Sequence, residues 1–178
     1  NPPEKLSALV LSLEPMLGCF GVAPPRAQAI STATSSTHGG NMDCQDVTVG
    51  NTLYLPVDVA GGHLYLGDCH AAQGDGEICG ISVEVSADVT LEIDVISDRD
   101  LAWPRVESDE EIMVVAAARP AENAVRLAYT ELIRWLVDDY GFTQVDAYQL
   151  CSAAGRVRYA QMVNPEYTVA AKFPKKLL

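Results

Sequence analysis

The stretch Ile81 to Ile96, ISVEVSADVTLEIDVI, decides the fold. Ile81, Val83, Val85, Val89, Leu91, Ile93 and Val95 alternate with Ser82, Glu84, Asp88, Thr90, Glu92 and Asp94. A period of two sends the first set to one face of an extended chain and the second to the other. The pattern predicts a long antiparallel strand with one wet face, or two strands joined by a bulge near Ala87. Upstream, Leu53, Leu55, Val57 and Val59 alternate with Tyr54, Pro56 and Asp58, a further strand that Pro56 assigns to an edge or a bulge. The apolar run Leu6 to Leu13 enters a Gly/Pro-punctuated segment, residues 18–25, and reads as a strand running into a loop. Residues 31–43, STATSSTHGGNMD, show no periodicity and predict an irregular loop.

After Pro120 the period changes from two to 3.6. Val125, Ala128, Tyr129, Leu132 and Leu136 fall at helical spacing and Gly141 supplies a stop, so residues 121–140 are expected as a helix. Thr143 and Asp146 have the spacing of a capping box ahead of a second, shorter helix ending at Gly155. Strand-like runs on either side of Asn164-Pro165-Glu166 suggest a closing hairpin. The expected fold is mainly β (α+β): an antiparallel β-sandwich or barrel with a helical pair and closing hairpin near the C-terminus. It divides into a β-rich catalytic region, 1–119, and a helix-helix-hairpin region, 120–178, packed on it as one continuous unit.

Composition narrows the function. With 178 residues the chain can bury a sizeable core. A formal charge of −12, from 24 acidic and 12 basic side chains, opposes phosphate backbones and argues against nucleic acid as a partner. No apolar run is long enough for a membrane-spanning helix. Five cysteines form an odd set without a CxxC pair, which fits a reducing cytoplasm. Cys19, Cys79 and Cys151 are expected as small buried thiols.

Chemistry concentrates in residues 67–77, GDCHAAQGDGE. If its ends are extended, Asp68 and His70 share one face and Asp75 and Glu77 another, while Gly74 and Gly76 permit close backbone approach. Carboxylates and an imidazole that converge suit either a metal that activates water or a metal-free carboxylate base. A glycine-rich turn whose acids cap backbone N–H groups is the plainer alternative. No Gly-x-Ser-x-Gly elbow accompanies the serine-rich loop, and Asn1 is no N-terminal nucleophile.

Five segments in order resemble the acetamidase/formamidase family: GCFGVAP (18–24), HGGNMD (38–43), LYLPV (53–57), GDCHAAQGDGE (67–77) and DAYQLCSAAG (146–155). The chain departs from the family pattern at Arg156, where an acidic residue is usual. The resemblance implies hydrolysis of small linear amides such as formamide or acetamide, by a divalent metal, zinc being the usual suggestion. Cyclic amides, a metal-free carboxylate amidase, or a non-catalytic subunit are the alternatives it leaves open. It implies His70 and Asp68 as metal ligands with His38 and Asp43 completing the shell, Glu77 or Asp75 as the base, and Asn41 and Gln73 as substrate contacts. It further implies a homo-oligomer and an additional N-terminal region before Gly18, supplied by a cleaved segment or a second chain. The present sequence would then be the C-terminal half to two-thirds of the family's chain.

Overall fold

The two helices form where their end signals predict. α1, Ala121–Tyr140, stops at Gly141, which takes φ 73°. There the Gly141 and Phe142 N–H groups donate to the Val137 and Leu136 carbonyls, a pairing that ends a helix without orphaned groups. α2, Gln144–Ala154, begins with the Thr143 hydroxyl accepting from the Asp146 N–H at 3.1 Å. Both lie on a five-stranded sheet.

A computed structural model describes residues 6–178, which hold two five-stranded antiparallel sheets and these two helices. In chain order the strands are β1 (Met16–Gly21), β2 (Ser35–Ser36), β3 (Gly39–Asn41), β4 (Thr52–Tyr54), β5 (Tyr65–Ala72), β6 (Val83–Glu84), β7 (Arg105–Glu107), β8 (Glu111–Ala118), β9 (Arg156–Gln161) and β10 (Tyr167–Pro174). The first sheet has the order β2-β3-β1-β5-β6 and the second β4-β7-β8-β10-β9, so the second draws strands from both sides of residue 119.

Alternation on β8 builds the layers. Ile112, Val114 and Ala116 face α1, where Ala124, Ala128, Leu132 and Leu136 are fully enclosed. Met113 and Val115 face the other way, onto Met42, Cys44 and Val47 beneath the first sheet. The order is helices, second sheet, first sheet, and the first sheet holds Asp68 and His70 on its β5. Among the described residues no helix is long and apolar enough to cross a membrane.

Several segments differ from expectation. The long strand over 81–96 is reduced to β6, and the remainder runs exposed without regular pairing. Its pattern asks for a sheet face that the described residues do not supply. The N-terminal strand lies at Met16–Gly21, inside the glycine-punctuated segment, and the apolar run 6–13 precedes it without pairing as a strand. The strand at residue 53 stops at Tyr54, before Pro56, whose ring nitrogen has no proton for a ladder. The loop over 31–43 contains β2 and β3, since Gly39 and Gly40 adopt φ near 90° and bring the backbone beside β1. Cys79 is exposed on the loop after β5, whereas Cys19, Cys44 and Cys151 are buried.

Candidate active site

His70 sits near the end of β5, opposite Met16 of β1, and is 1% exposed. Its Nδ1 is 2.8 Å from Gln73 Oε1. The Gln73 amide nitrogen donates to the carbonyls of Asp43, at 2.6 Å, and Ala160, at 3.0 Å. With both amide donors used, Oε1 accepts, and Nδ1 carries the proton. The other ring nitrogen, Nε2, faces Asp68 Oδ1 at 3.2 Å.

With the ring neutral, Nε2 and Oδ1 are both acceptors and require a proton or a cation between them. A third acceptor joins them, for Asp43, Asp68 and His70 each offer a ligand atom within 4.8 Å of the others. Ligand atoms around a tetrahedral zinc with bonds of about 2.0–2.2 Å stand roughly 3.3–3.5 Å apart, and the 3.2 Å between His70 Nε2 and Asp68 Oδ1 is of that size. His70, Glu77 and Glu84 form a second group of the same kind.

Local backbone explains how carboxylates gather here. Asp43, Asp68 and Glu77 take φ of 45°, 57° and 42°. That conformation is unfavourable for residues with a Cβ and concentrates at functional sites. Gly18, across from Asp68 on β1, supplies the room: a Cβ there would come within 2.5 Å of Asp43 Oδ1 and 2.7 Å of Asp68 Oδ2. Any side chain at position 18 would fill the space the carboxylates face.

Asp43, 1% exposed, accepts at Oδ2 from Asn41 Nδ2 at 2.8 Å and Asn164 Nδ2 at 2.7 Å. Its Oδ1 is buried without a hydrogen-bond partner. Burial, and next the neighbouring Glu77 carboxyl, push the Asp43 carboxyl up to about 7, against the hydrogen bond from Asn164. Burial also raises Glu77, while His70 and the hydrogen bond with Asp43 oppose the rise. Burial thus disfavours the charged form of both carboxyls, and for Asp43 the neighbouring Glu77 adds to it.

The other sequence candidates are distributed as follows. Glu77 is turned inward by Gly76, whose N–H donates to Tyr159 O at 2.8 Å and fixes the loop on β9. Asp75 points outward, exposed, with its Oδ1 3.1 Å from Arg158 Nε. Asn41 and Gln73 spend their amide groups on Asp43 and His70 as described. His38 is 3% exposed, its Nδ1 lacks a partner, and burial lowers its pKa. It stands outside both groups of converging ligand atoms. Asn164, Glu84 and Gly18 join the site from places where the sequence pattern shows only a turn, a strand and a glycine-rich segment. Of the three, Gly18 alone had a signal, since it opens a segment already matched to the family.

Comparison with known proteins identifies the family. The model of the Acetamidase/Formamidase family matches residues 3–178. The formamidase of Methylophilus methylotrophus is 39% identical over 74 residues, 40% of this chain and 18% of that protein. The crystal structure of an acetamidase from Yersinia enterocolitica superposes with a TM-score of 0.91 at 48% identity, covering 93% of this chain and 50% of that one. An acetamidase from Bacillus halodurans gives 0.91 at 37% identity, covering 96% of this chain and 58% of that one. The chain thus spans about half the length of these structural relatives. With the match running through every described residue, the chain belongs to the acetamidase/formamidase family.

Proposed function

We propose that this chain carries the reaction centre of a hydrolase that splits the C–N bond of short linear amides, of the formamide and acetamide class, into a carboxylate and ammonia. The observation that carries the reading is the convergence of buried Asp43 and His70 with Asp68, and of His70 with buried Glu77, where burial raises both Asp43 and Glu77. Kinship with proteins called formamidase and acetamidase supplies the substrate class.

Asp43, Asp68 and His70 are the residues that would hold a divalent cation, with Gln73 fixing the His70 tautomer and Asn41 and Asn164 fixing Asp43. A zinc ion bound there supplies polarisation of the amide carbonyl and acidification of water. Glu77 acts as the base. Its carboxylate takes a proton from water as the water oxygen bonds the amide carbon and the carbonyl electron pair moves to oxygen. When that pair returns and the C–N bond breaks, Glu77 delivers the proton to the departing nitrogen. Water and amide become carboxylic acid and amine, and one proton then passes between them to give carboxylate and ammonium. Asp75 ties its loop to Arg158 in this reading, and the free cysteines suit a reducing compartment.

A metal-free amidase is the second reading, favoured by the two carboxyls themselves, Asp43 and Glu77, both raised by burial. Ammonia release from formamide and acetamide, followed in the chain completed by the rest of a family polypeptide, tests the proposal. Loss of release in strong chelator and recovery on adding zinc favour the first reading. Full release by metal-stripped protein favours the second, and no release in any condition removes both.

A further inference from the structure

Every odd-numbered residue from Ile81 to Val95 is apolar, Ala87 included, so the alternation never slips. A parity kept over that length specifies a strand with one buried face. Yet Val85, Val89, Leu91, Ile93 and Val95 are 38–81% exposed. The last ladder bond is from the Val85 N–H to Cys69 O at 2.8 Å. From residue 87 to 96 the backbone makes no backbone–backbone hydrogen bond among the described residues. On the other side of β5 a second apolar stretch is also exposed. Val10 is 93% and Leu13 75% exposed, just before the Glu14 N–H reaches Ala71 O at 2.8 Å. Both exposed stretches therefore leave from the two neighbours of the strand that carries Asp68 and His70.

We propose that residues 85–96 are a docking edge, to which a β-strand is added by the half of the family polypeptide that this chain does not span. The relatives provide the missing mass, for this chain matches 50% of the Yersinia acetamidase and 58% of the Bacillus one. Charge decides between that half and a second copy of this chain. The face opposite the apolar one bears Asp88, Glu92 and Asp94, and the chain's net charge is −12. Two copies pairing here would set acidic rows against each other, which destabilises a sheet. The strand that fits carries apolar residues on one face and lysine or arginine on the other, and its main chain satisfies the bare N–H and C=O groups. The added strand also extends the ladder beyond Glu84, which β6 places opposite His70.

The choice of partner rests on the functional reading above, but the test reads exchange and not turnover, so either can fail alone. Amide hydrogen exchange is followed in this chain by itself, then with the portion of the Yersinia acetamidase outside the matched region as a separate polypeptide. Expected is fast exchange over 85–96 in the isolated chain and slowing by roughly 100-fold on mixing. The double variant Leu91→Lys/Ile93→Lys should abolish the slowing while leaving the isolated chain's melting temperature unchanged. Three results overturn the proposal: protection of 85–96 in the dilute isolated chain, protection that grows with the concentration of this chain alone, or no slowing with the added polypeptide. Slowing that survives the double variant overturns it as well.

Discussion

Glu131 and Asp43 are both buried carboxyls, 2% and 1% exposed, and they keep opposite company. Glu131 on α1 accepts from Arg105 Nη2 at 2.8 Å and Nε at 3.2 Å, and its second oxygen lies 3.2 Å from Arg134. The Arg105 guanidinium in turn stacks 4.7 Å from the centre of the Trp135 ring. Every charge there is matched, as a buried ion pair requires if it is not to cost more than it returns. Asp43 faces a second carboxyl, has an oxygen without a partner, and sits in strained backbone. The first arrangement holds helices to a sheet. The second stores unfavourable interactions that a proton, a cation or a substrate relieves, which is what a reaction centre needs.

The contrast breaks most visibly at Glu77. Glu77→Gln should lower amide turnover by about 10²–10⁴-fold with the fold retained, the usual effect of losing a general base. Ammonia release within tenfold of wild type would place the base elsewhere. On the structural side, Glu131→Ala should cost about 3–5 kcal/mol, because it strands Arg105 in the interior. Denaturant unfolding measures this, and a loss under about 1 kcal/mol would mean that Arg105 finds water.

The apolar residues divide in the same way. Leu132, fully enclosed between α1 and the second sheet, should lose roughly 2–5 kcal/mol on mutation to Ala, whereas Leu91→Ala should change stability by under about 0.5 kcal/mol in the isolated chain. Equal losses would show that the 85–96 segment is already packed.

A smaller effect is expected from pH. The Asp43 carboxyl, raised from 3.8 to about 7, binds its proton more tightly folded than unfolded. Its contribution is therefore fully present below about pH 4 and is lost as pH rises through about 7, on the order of 2–4 kcal/mol in total. Asp43→Asn should flatten most of that slope in metal-free protein. An unchanged slope would mean that Asp43 titrates as an ordinary carboxyl.

How much of this was readable in advance depends on whether the deciding interactions are local. α1 and α2 were legible because Gly141 and Thr143 act within a turn of their own positions. β2 and β3 were not, since a strand containing Gly39 and Gly40 shows no alternation. The 81–96 segment was read as a long strand, but among the described residues only Val83–Glu84 form one, because its alternation has no sheet face to pack on. At the site, residues 67–77 and 38–43 were marked as chemical, and His70, Asp68, Asp43 and Glu77 do meet. The outward turn of Asp75 was hidden, because Gly76 and the left-handed Glu77 break the period-two reading. Asn164 was hidden for a different reason: it lies 121 residues from Asp43 in a hairpin turn, where asparagine is ordinary.

Calorimetric titration of zinc into metal-free protein near pH 6.5, in two buffers of different ionisation enthalpy, tests the centre most directly and does not depend on the other half of the family chain. The account predicts one ion bound per chain, release of about one proton as Asp43, raised to about 7, ionises on binding, and loss of both signals in Asp68→Asn. Zinc binding without proton release, or binding that persists unchanged in both Asp68→Asn and Asp43→Asn, would contradict it.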